Sequence, residues 1–171
     1  MTIRNMLNHV FMISVAFFMM AAGPCVEREG QEYGLKGVQG VRVESFTTLR
    51  DVDYNLYDPS ILGLGAPVFK ALAESRLSIS GVPSSTADND FLYVQVEAIY
   101  IGDDSAGVPL FVYKVTVEYH ALVTMKTTGS VRGAVVYRRS FQDIHSLNEI
   151  KSDVSNFTDL FIQDLNKAKT L

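Results

Sequence analysis

Apolar and polar residues alternate along much of this chain, with the two-residue period of half-buried β-strands. The clearest run extends from Leu110 to Lys126, where Phe, Tyr, Val, Ala and Met occupy every second position. Lys, Thr, Glu and His fill most of the positions between them. Shorter runs with the same period cover residues 41–46, 91–101 and 131–141. We therefore predict four strands, the last three joined by short turns into an antiparallel sheet.

Two other segments carry apolar residues three and four positions apart, which is typical of helices packed on one side. The first begins at Pro67, which suits a first helical turn, and ends at Gly81. The second follows Ser146, which is predicted to form a capping box with Glu149. Its predicted apolar stripe consists of Leu147, Ile150, Val154, Phe157, Phe161 and Leu165.

The predicted element order is β-α-β-β-β-α. This order predicts an α+β fold, a two-layer sandwich in which two helices cover one face of a mainly antiparallel, four-stranded sheet. Residues 41–171 are accordingly expected to form a single domain. In the last helix we expect Phe157 to be buried against the sheet and Thr158 to lie outside the apolar stripe.

The first 25 residues are of a different kind. An almost entirely apolar run from Val10 to Gly23 follows a polar start that carries Arg4. The run is shorter than the ~20 residues of a membrane-spanning helix. It therefore predicts a secretory signal peptide at residues 1–25, and an exported chain. The mixed polar and Gly-containing residues 26–40 are predicted to be a tether.

Cys25 is the single cysteine, so an intramolecular disulfide is excluded. Bacterial lipoproteins carry an acylated cysteine at the end of the apolar run, and Ala22 and Gly23 fit the residues that precede it. Pro24 departs from that pattern, because proline removes the N–H and fixes φ at the bond to be cut. Three alternatives stay open: acylation of Cys25, which would attach the chain to a membrane; ordinary cleavage, which would leave a free thiol; or an uncleaved anchor.

Charge narrows the range of partners. Arg4 is the one charged residue of the first 25, so the remainder carries 14 basic and 19 acidic residues, a net charge of −5. Nucleic acid is therefore not an expected partner, since nucleic-acid-binding domains carry basic patches. Anionic lipid headgroups would likewise not attract this chain electrostatically.

Candidate chemistry is sparse. His120 follows Glu118 by two residues on the polar side of the long strand, a pair able to perform acid–base catalysis or to lie as a solvated surface pair. Asp51, Asp53 and Asp58 share one loop, but their spacing is not that of a calcium-binding loop. We predict no catalytic residues, no metal and no cofactor, and hence that the protein is not an enzyme.

The element order over residues 41–168, together with the signal type around Cys25, resembles that of small bacterial envelope lipoproteins. The type in question is the lipoprotein partner of the outer-membrane lipopolysaccharide-assembly machinery. The segments 41–46 (VRVESF) and 113–118 (YKVTVE) are similar to sequences of that family, whereas Pro24 departs from its usual processing site. The resemblance implies a periplasmic or outer-membrane-associated lipoprotein that acts as a non-catalytic binding or assembly partner of an envelope protein.

The polar face of the sheet is the predicted partner-binding surface, with a strand at the sheet edge, beginning at Val41, available for strand addition. Strand alternation places Arg132 and Arg138 on one face, beside the residues of the neighbouring strand. The predicted contacts are Lys114, Glu118, His120, Arg132 and Arg138.

Binding of lipid or another amphipathic ligand between the two layers is the alternative function. Five aromatic residues would either line such a pocket or fill the core. They are Phe69, Tyr100, Tyr119, Phe157 and Phe161.

Overall fold

The computed structural model describes residues 34–85, 90–124 and 129–171, with the exception of the Arg132 side chain. The predicted signal peptide, Cys25 and residues 26–33 of the predicted tether lie outside the described residues.

The described chain forms an α+β sandwich in which both helices contact the sheet and each other. This confirms the predicted fold class. The elements are β1 (Arg42–Arg50), β2 (Leu56–Tyr57), α1 (Ala66–Ile79), β3 (Phe91–Asp103), β4 (Pro109–Thr124), β5 (Val131–Ser146) and α2 (Leu147–Ala168), with a 3-10 turn at Pro59–Leu62.

The sheet differs from the prediction in two respects. Over the described residues it has five strands, in the order β2-β1-β3-β4-β5, and it contains both parallel and antiparallel pairs. Strand β1 runs parallel to β3, from the pair Arg42 and Phe91 to the pair Arg50 and Ile99, because α1 crosses over between the two strands and returns the chain in the same direction. Strand β2 was not predicted, since two residues are too few to show a period.

The prediction that β1 is an edge strand is also corrected, because β2 lies beyond it in the sheet. Within the described part of the chain, however, β2 pairs with Leu49 and Arg50 alone, so it covers one end of β1. The strand itself continues four residues past the predicted end at Phe46.

Strand β5 contains an irregularity that matters for the outer face of the sheet. Tyr119 pairs with Tyr137, whereas the next residue of β4, His120, pairs with Val135. Val136 is therefore the extra residue of a β-bulge, and the alternation of faces along β5 changes phase at this point. Beyond the bulge, β5 extends five residues past its predicted end and continues directly into α2.

The core confirms the predicted alternation in β3 and β4, whose inward residues are buried against the helices. Three tyrosine side chains of β4 and β5 are almost completely buried in this layer. The buried set comprises Leu92, Val94, Val96 and Ala98 of β3, Phe111, Tyr113, Val115, Val117 and Tyr119 of β4, Tyr137 of β5, Phe69, Ala73 and Leu77 of α1, and Ile150, Val154, Phe161 and Leu165 of α2.

Two residues of α2 were predicted wrongly: Phe157 was expected to be buried, and Thr158 to lie outside the apolar stripe. Thr158 is fully buried, and its hydroxyl donates to the carbonyl oxygen of Val154 at 2.8 Å. Phe157 is only partly buried, and its ring lies 6.2 Å from that of Phe141 at the edge of the core. The polar Thr158 is tolerated at the centre of the stripe because the preceding turn satisfies its hydroxyl.

The start of α2 departs from the predicted capping box. Ser146 is the N-cap, but its hydroxyl makes no bond to a backbone N–H and instead contacts the Glu149 carboxylate. This hydrogen bond is the main reason that the pKa of Glu149 is lowered. The negative charge it keeps lies at the N-terminal end of the helix dipole, which is a favourable position.

Polar contacts fix α2 against its neighbours. Arg139 of β5 donates to Asp164 at 2.8 Å, and both side chains are largely buried. The Tyr113 hydroxyl of β4 donates to Asp153, and burial together with this bond raises the pKa of Tyr113. These two contacts join α2 to the sheet at two separate points, one on β4 and one on β5.

The described part of the predicted tether also packs on the domain. Leu35 is fully buried, and a Cβ added to Gly34 would lie 2.5 Å from the carbonyl oxygen of Val136. The packed structure therefore includes residues before position 41.

We expect Phe161→Ala to reduce the free energy of unfolding by about 3–5 kcal/mol, through lost burial and a residual cavity. Phe161 is fully buried, with its ring 5.6 Å from that of Tyr119 and 5.3 Å from that of Tyr137. Phe157 is only partly buried, so Phe157→Ala should reduce the free energy of unfolding by less than about 2 kcal/mol. Urea denaturation of both variants measures the difference, and equal losses would mean that α2 does not present Phe161 to the core.

Candidate functional site

The face of the sheet opposite the helices carries a cluster of interacting side chains, which we call the outer-face cluster. It consists of Phe91, Tyr93, Glu118, His120 and Arg138. Glu118 is its centre, because Oε1 accepts a hydrogen bond from Arg138 Nε at 2.5 Å and Oε2 lies 3.0 Å from His120 Nε2. The Glu118 residue is only 7% exposed, although it lies on the face that the helices leave uncovered.

Strand register brings these residues together. Tyr93, Glu118 and Arg138 are paired across three adjacent strands, and Phe91 is paired with His120 one position along the same face. The His120 ring stacks on Phe91 with centroids 4.8 Å apart and an interplanar angle of 7°. Tyr93 meets the His120 ring edge-on, and burial, followed by the charge of Glu118, raises the pKa of Tyr93.

Both oxygens of the Glu118 carboxylate are engaged, so the carboxylate holds Arg138 and His120 in defined positions. The Arg138 side chain is nevertheless 64% exposed beyond its bond to Glu118. The cluster therefore presents a cation and an imidazole to the outside on a fixed support. Such an arrangement suits recognition of another surface, since little side-chain freedom remains to be lost on binding.

Of the predicted contact residues, the structure brings together Glu118, His120 and Arg138. Lys114 lies apart from them and is 3.9 Å from Glu97, an exposed cross-strand ion pair. Arg132 pairs in register with Val123, and its side chain is outside the described structure. The bulge in β5 separates the two arginines, so the alternation from which a shared face was predicted does not extend from Arg138 to Arg132.

Exposed apolar side chains border the cluster, in addition to the charged and polar residues predicted from the sequence. Val135 is paired with His120, and Leu122 follows two residues further along β4; they are 43% and 48% exposed. Leu122 was recognisable as an apolar residue among the polar positions of the long strand. Val135 was not, because only the bulge places it opposite His120.

Two of the three aspartates of the β1–α1 connection, Asp51 and Asp58, have structural roles. Asp51 accepts four hydrogen bonds of 2.9 Å, from the backbone N–H groups of Asp53 and Asn55, the Asn55 amide and the Tyr57 hydroxyl. Asp58 accepts from the backbone and hydroxyl of Ser60 and caps the 3-10 turn. Within the described residues, no three His, Cys, Asp or Glu side chains form a group able to hold a metal ion.

The aromatic residues proposed to line a ligand pocket are instead part of the core. Phe69, Tyr119 and Phe161 are at most 1% exposed, and the partly buried Tyr100 and Phe157 pack against the core cluster to which these three belong. A cavity of about 590 Å³ does lie near the C-terminal end of α1. It is lined by other residues, among them Val41, Glu74, Leu77, Val82 and Pro83.

In the described ranges, no helix combines the length and hydropathy needed to cross a bilayer.

No protein-family model matches the chain, and no curated protein matches it. Among solved structures, the crystal structure of the rare lipoprotein B from Shewanella oneidensis is similar over 71% of this chain and 89% of that chain. The sequence identity is 16% and the TM-score is 0.18. A similarity at this TM-score supports no conclusion about the fold or the function of the present chain.

Removing Arg138 should leave the buried carboxylate of Glu118 with His120 as its remaining partner in the cluster. We expect Arg138→Ala to lower the free energy of unfolding by about 1–3 kcal/mol, the usual cost of an under-satisfied buried group. In the double variant Arg138→Ala/Glu118→Gln, much of that loss should be recovered, because the charge is removed as well. A double-mutant cycle by urea denaturation checks this, and strictly additive effects would contradict the pairing.

The loop held by Asp51 should depend on pH. Its hydrogen bonds, that from the Asn55 side chain first, lower the pKa of Asp51 from the ordinary value of 3.8. A lowered pKa means that the carboxylate stabilises the loop above pH 3.8 and that this contribution is lost as the pH falls through the lowered pKa. NMR titration of the Asp53 and Asn55 amides should show a midpoint below 3.8, and Asp51→Asn should abolish that transition; a midpoint at or above 3.8 would refute this role.

Proposed function

We propose that the protein is a non-catalytic binding and assembly partner in the bacterial cell envelope, exported by its N-terminal signal and tethered to a membrane there. Support for export and tethering comes from the sequence, namely the apolar run before Gly23 and the position of Cys25. The partner in this proposal is an envelope protein that docks on the outer face of the sheet.

The outer-face cluster is the observation that carries the docking proposal. Glu118 holds Arg138 and His120 in place, and the exposed apolar residues Leu122 and Val135 lie directly beside them. Protein interfaces are typically built in this way, from an apolar centre with arginine and aromatic anchors. The proposed interface therefore includes Leu122 and Val135 in addition to the charged residues inferred from the sequence.

Ligand binding between the layers is not favoured by the structure, because the aromatic residues that would line the pocket fill the core. Protein docking thus has the stronger support of the two alternatives.

Leu122→Glu should abolish recovery of the partner when the full-length protein is purified from solubilised membranes of its host. Leu122 is exposed, so folding should be preserved, while the new carboxylate would be desolvated at the centre of the interface. Ile79→Glu is the matched control, since Ile79 is 75% exposed on α1 in the other layer. If both variants recover the same proteins as the parent chain, the outer face is not the docking surface.

A further inference from the structure

A second surface stands out in the connection between β1 and α1, residues 51–61, which we call the apolar tip. Large apolar side chains are concentrated in this short segment and are largely exposed to solvent. They are Val52, Tyr54, Leu56, Tyr57 and Ile61, between 48% and 74% exposed.

The tip is not needed to complete the core. Leu56 and Tyr57 form β2, and both are exposed, so this strand buries neither of its faces within the described structure. The first core residue after the tip is Leu64, which is 1% exposed and anchors the chain before α1. Concentrated exposed apolar residues of this kind mark an interaction surface more often than a structural element.

The tip is also held in one conformation. Four donors converge on Asp51, and the pairing of β2 with Leu49 and Arg50 closes the hairpin beneath the turn. Tyr54, at the turn, has a φ of 63°, a left-handed conformation that is costly for a residue with a side chain. The apolar side chains are thus presented on an ordered backbone, so that binding would require little further ordering.

Charge identifies the kind of occupant. Between Arg50 and Lys70 the chain contains Asp51, Asp53 and Asp58 and no basic residue. An anionic membrane surface would repel this segment. The cavity at the end of α1 on a second copy is an unsuitable receptor too, because among the described residues that line it the charged one is the acidic Glu74.

We propose that the apolar tip docks into an apolar groove flanked by lysine or arginine side chains on a partner protein. Val52, Tyr54 and Leu56 would fill the groove, and Asp53 would face the basic rim. The tip lies at the far end of β1 from Val41, about 30 Å away for nine residues at ~3.3 Å each. It is therefore a surface separate from the outer-face cluster, and docking at the tip does not depend on docking at that cluster.

Photo-crosslinking in the native host tests the inference. The full-length chain carries p-benzoylphenylalanine in place of Tyr54, and a second version carries it in place of Ser105, an exposed polar turn residue between β3 and β4. We expect one discrete protein adduct from position 54 and none from position 105. Mass spectrometry should map the crosslink to an apolar site next to lysine or arginine residues of the partner.

Two substitutions, made in the chain that carries p-benzoylphenylalanine at position 54, then test which side chains the contact requires. Leu56→Asp and Asp53→Lys should each reduce the adduct yield at least about tenfold, which corresponds to a loss of about 1.4 kcal/mol in binding. Ile79→Glu should leave the yield unchanged, and thermal melts should show that all three variants are folded. The absence of an adduct, an adduct of twice the chain mass, a lipid adduct, or a protein adduct insensitive to Asp53→Lys would each overturn the proposal.

Discussion

The burial of β4 between its neighbours and α2 is the constraint on which this structure depends. Every second side chain of the strand, from Phe111 to Tyr119, is at most 1% exposed. Each fully buried apolar side chain contributes about 1.5–3 kcal/mol relative to exposure, so this row is a major source of stability. It also fixes the remaining geometry: once these residues face the helices, the residues between them lie on the opposite face, where Glu118 becomes the centre of the polar cluster.

The same periodicity explains how much of the fold the sequence could predict. Strands β3 and β4 and both helices were recognisable because each buries one face over many residues. The direction of β1 was not encoded in its own alternation, which is identical for parallel and antiparallel pairing; it follows from the helix that connects it to β3. Thr158 was misplaced because its polarity was counted against burial, whereas a local bond to the Val154 carbonyl makes burial acceptable.

On strand β5, prediction of the candidate site was limited by a single residue. Glu118 and His120 were found by counting alternate positions along β4, and that count is uninterrupted. On β5 the extra residue Val136 shifts the alternation of the two faces by one residue. The face of Arg132 can therefore not be counted from that of Arg138, and Val135 lies on the outer face. An apolar run such as residues 134–137 carries no polar position from which such a bulge could be recognised. The apolar tip was not predictable for another reason: its apolar residues follow neither the spacing of a strand nor that of a helix, and its aspartates are typical of an ordinary turn.

Arg138 and Arg139 are neighbours in β5, yet they belong to opposite layers. Arg138 is bonded to Glu118 on the outside of the sheet, and Arg139 to Asp164 of α2 on the inside. Strand β5 then enters α2 without an intervening loop. A displacement of the strand caused by docking at Arg138 would therefore reach the helix through one peptide bond and one ion pair, with no flexible linker in which it could dissipate. The outer face and α2 are thus connected through two adjacent residues of one strand.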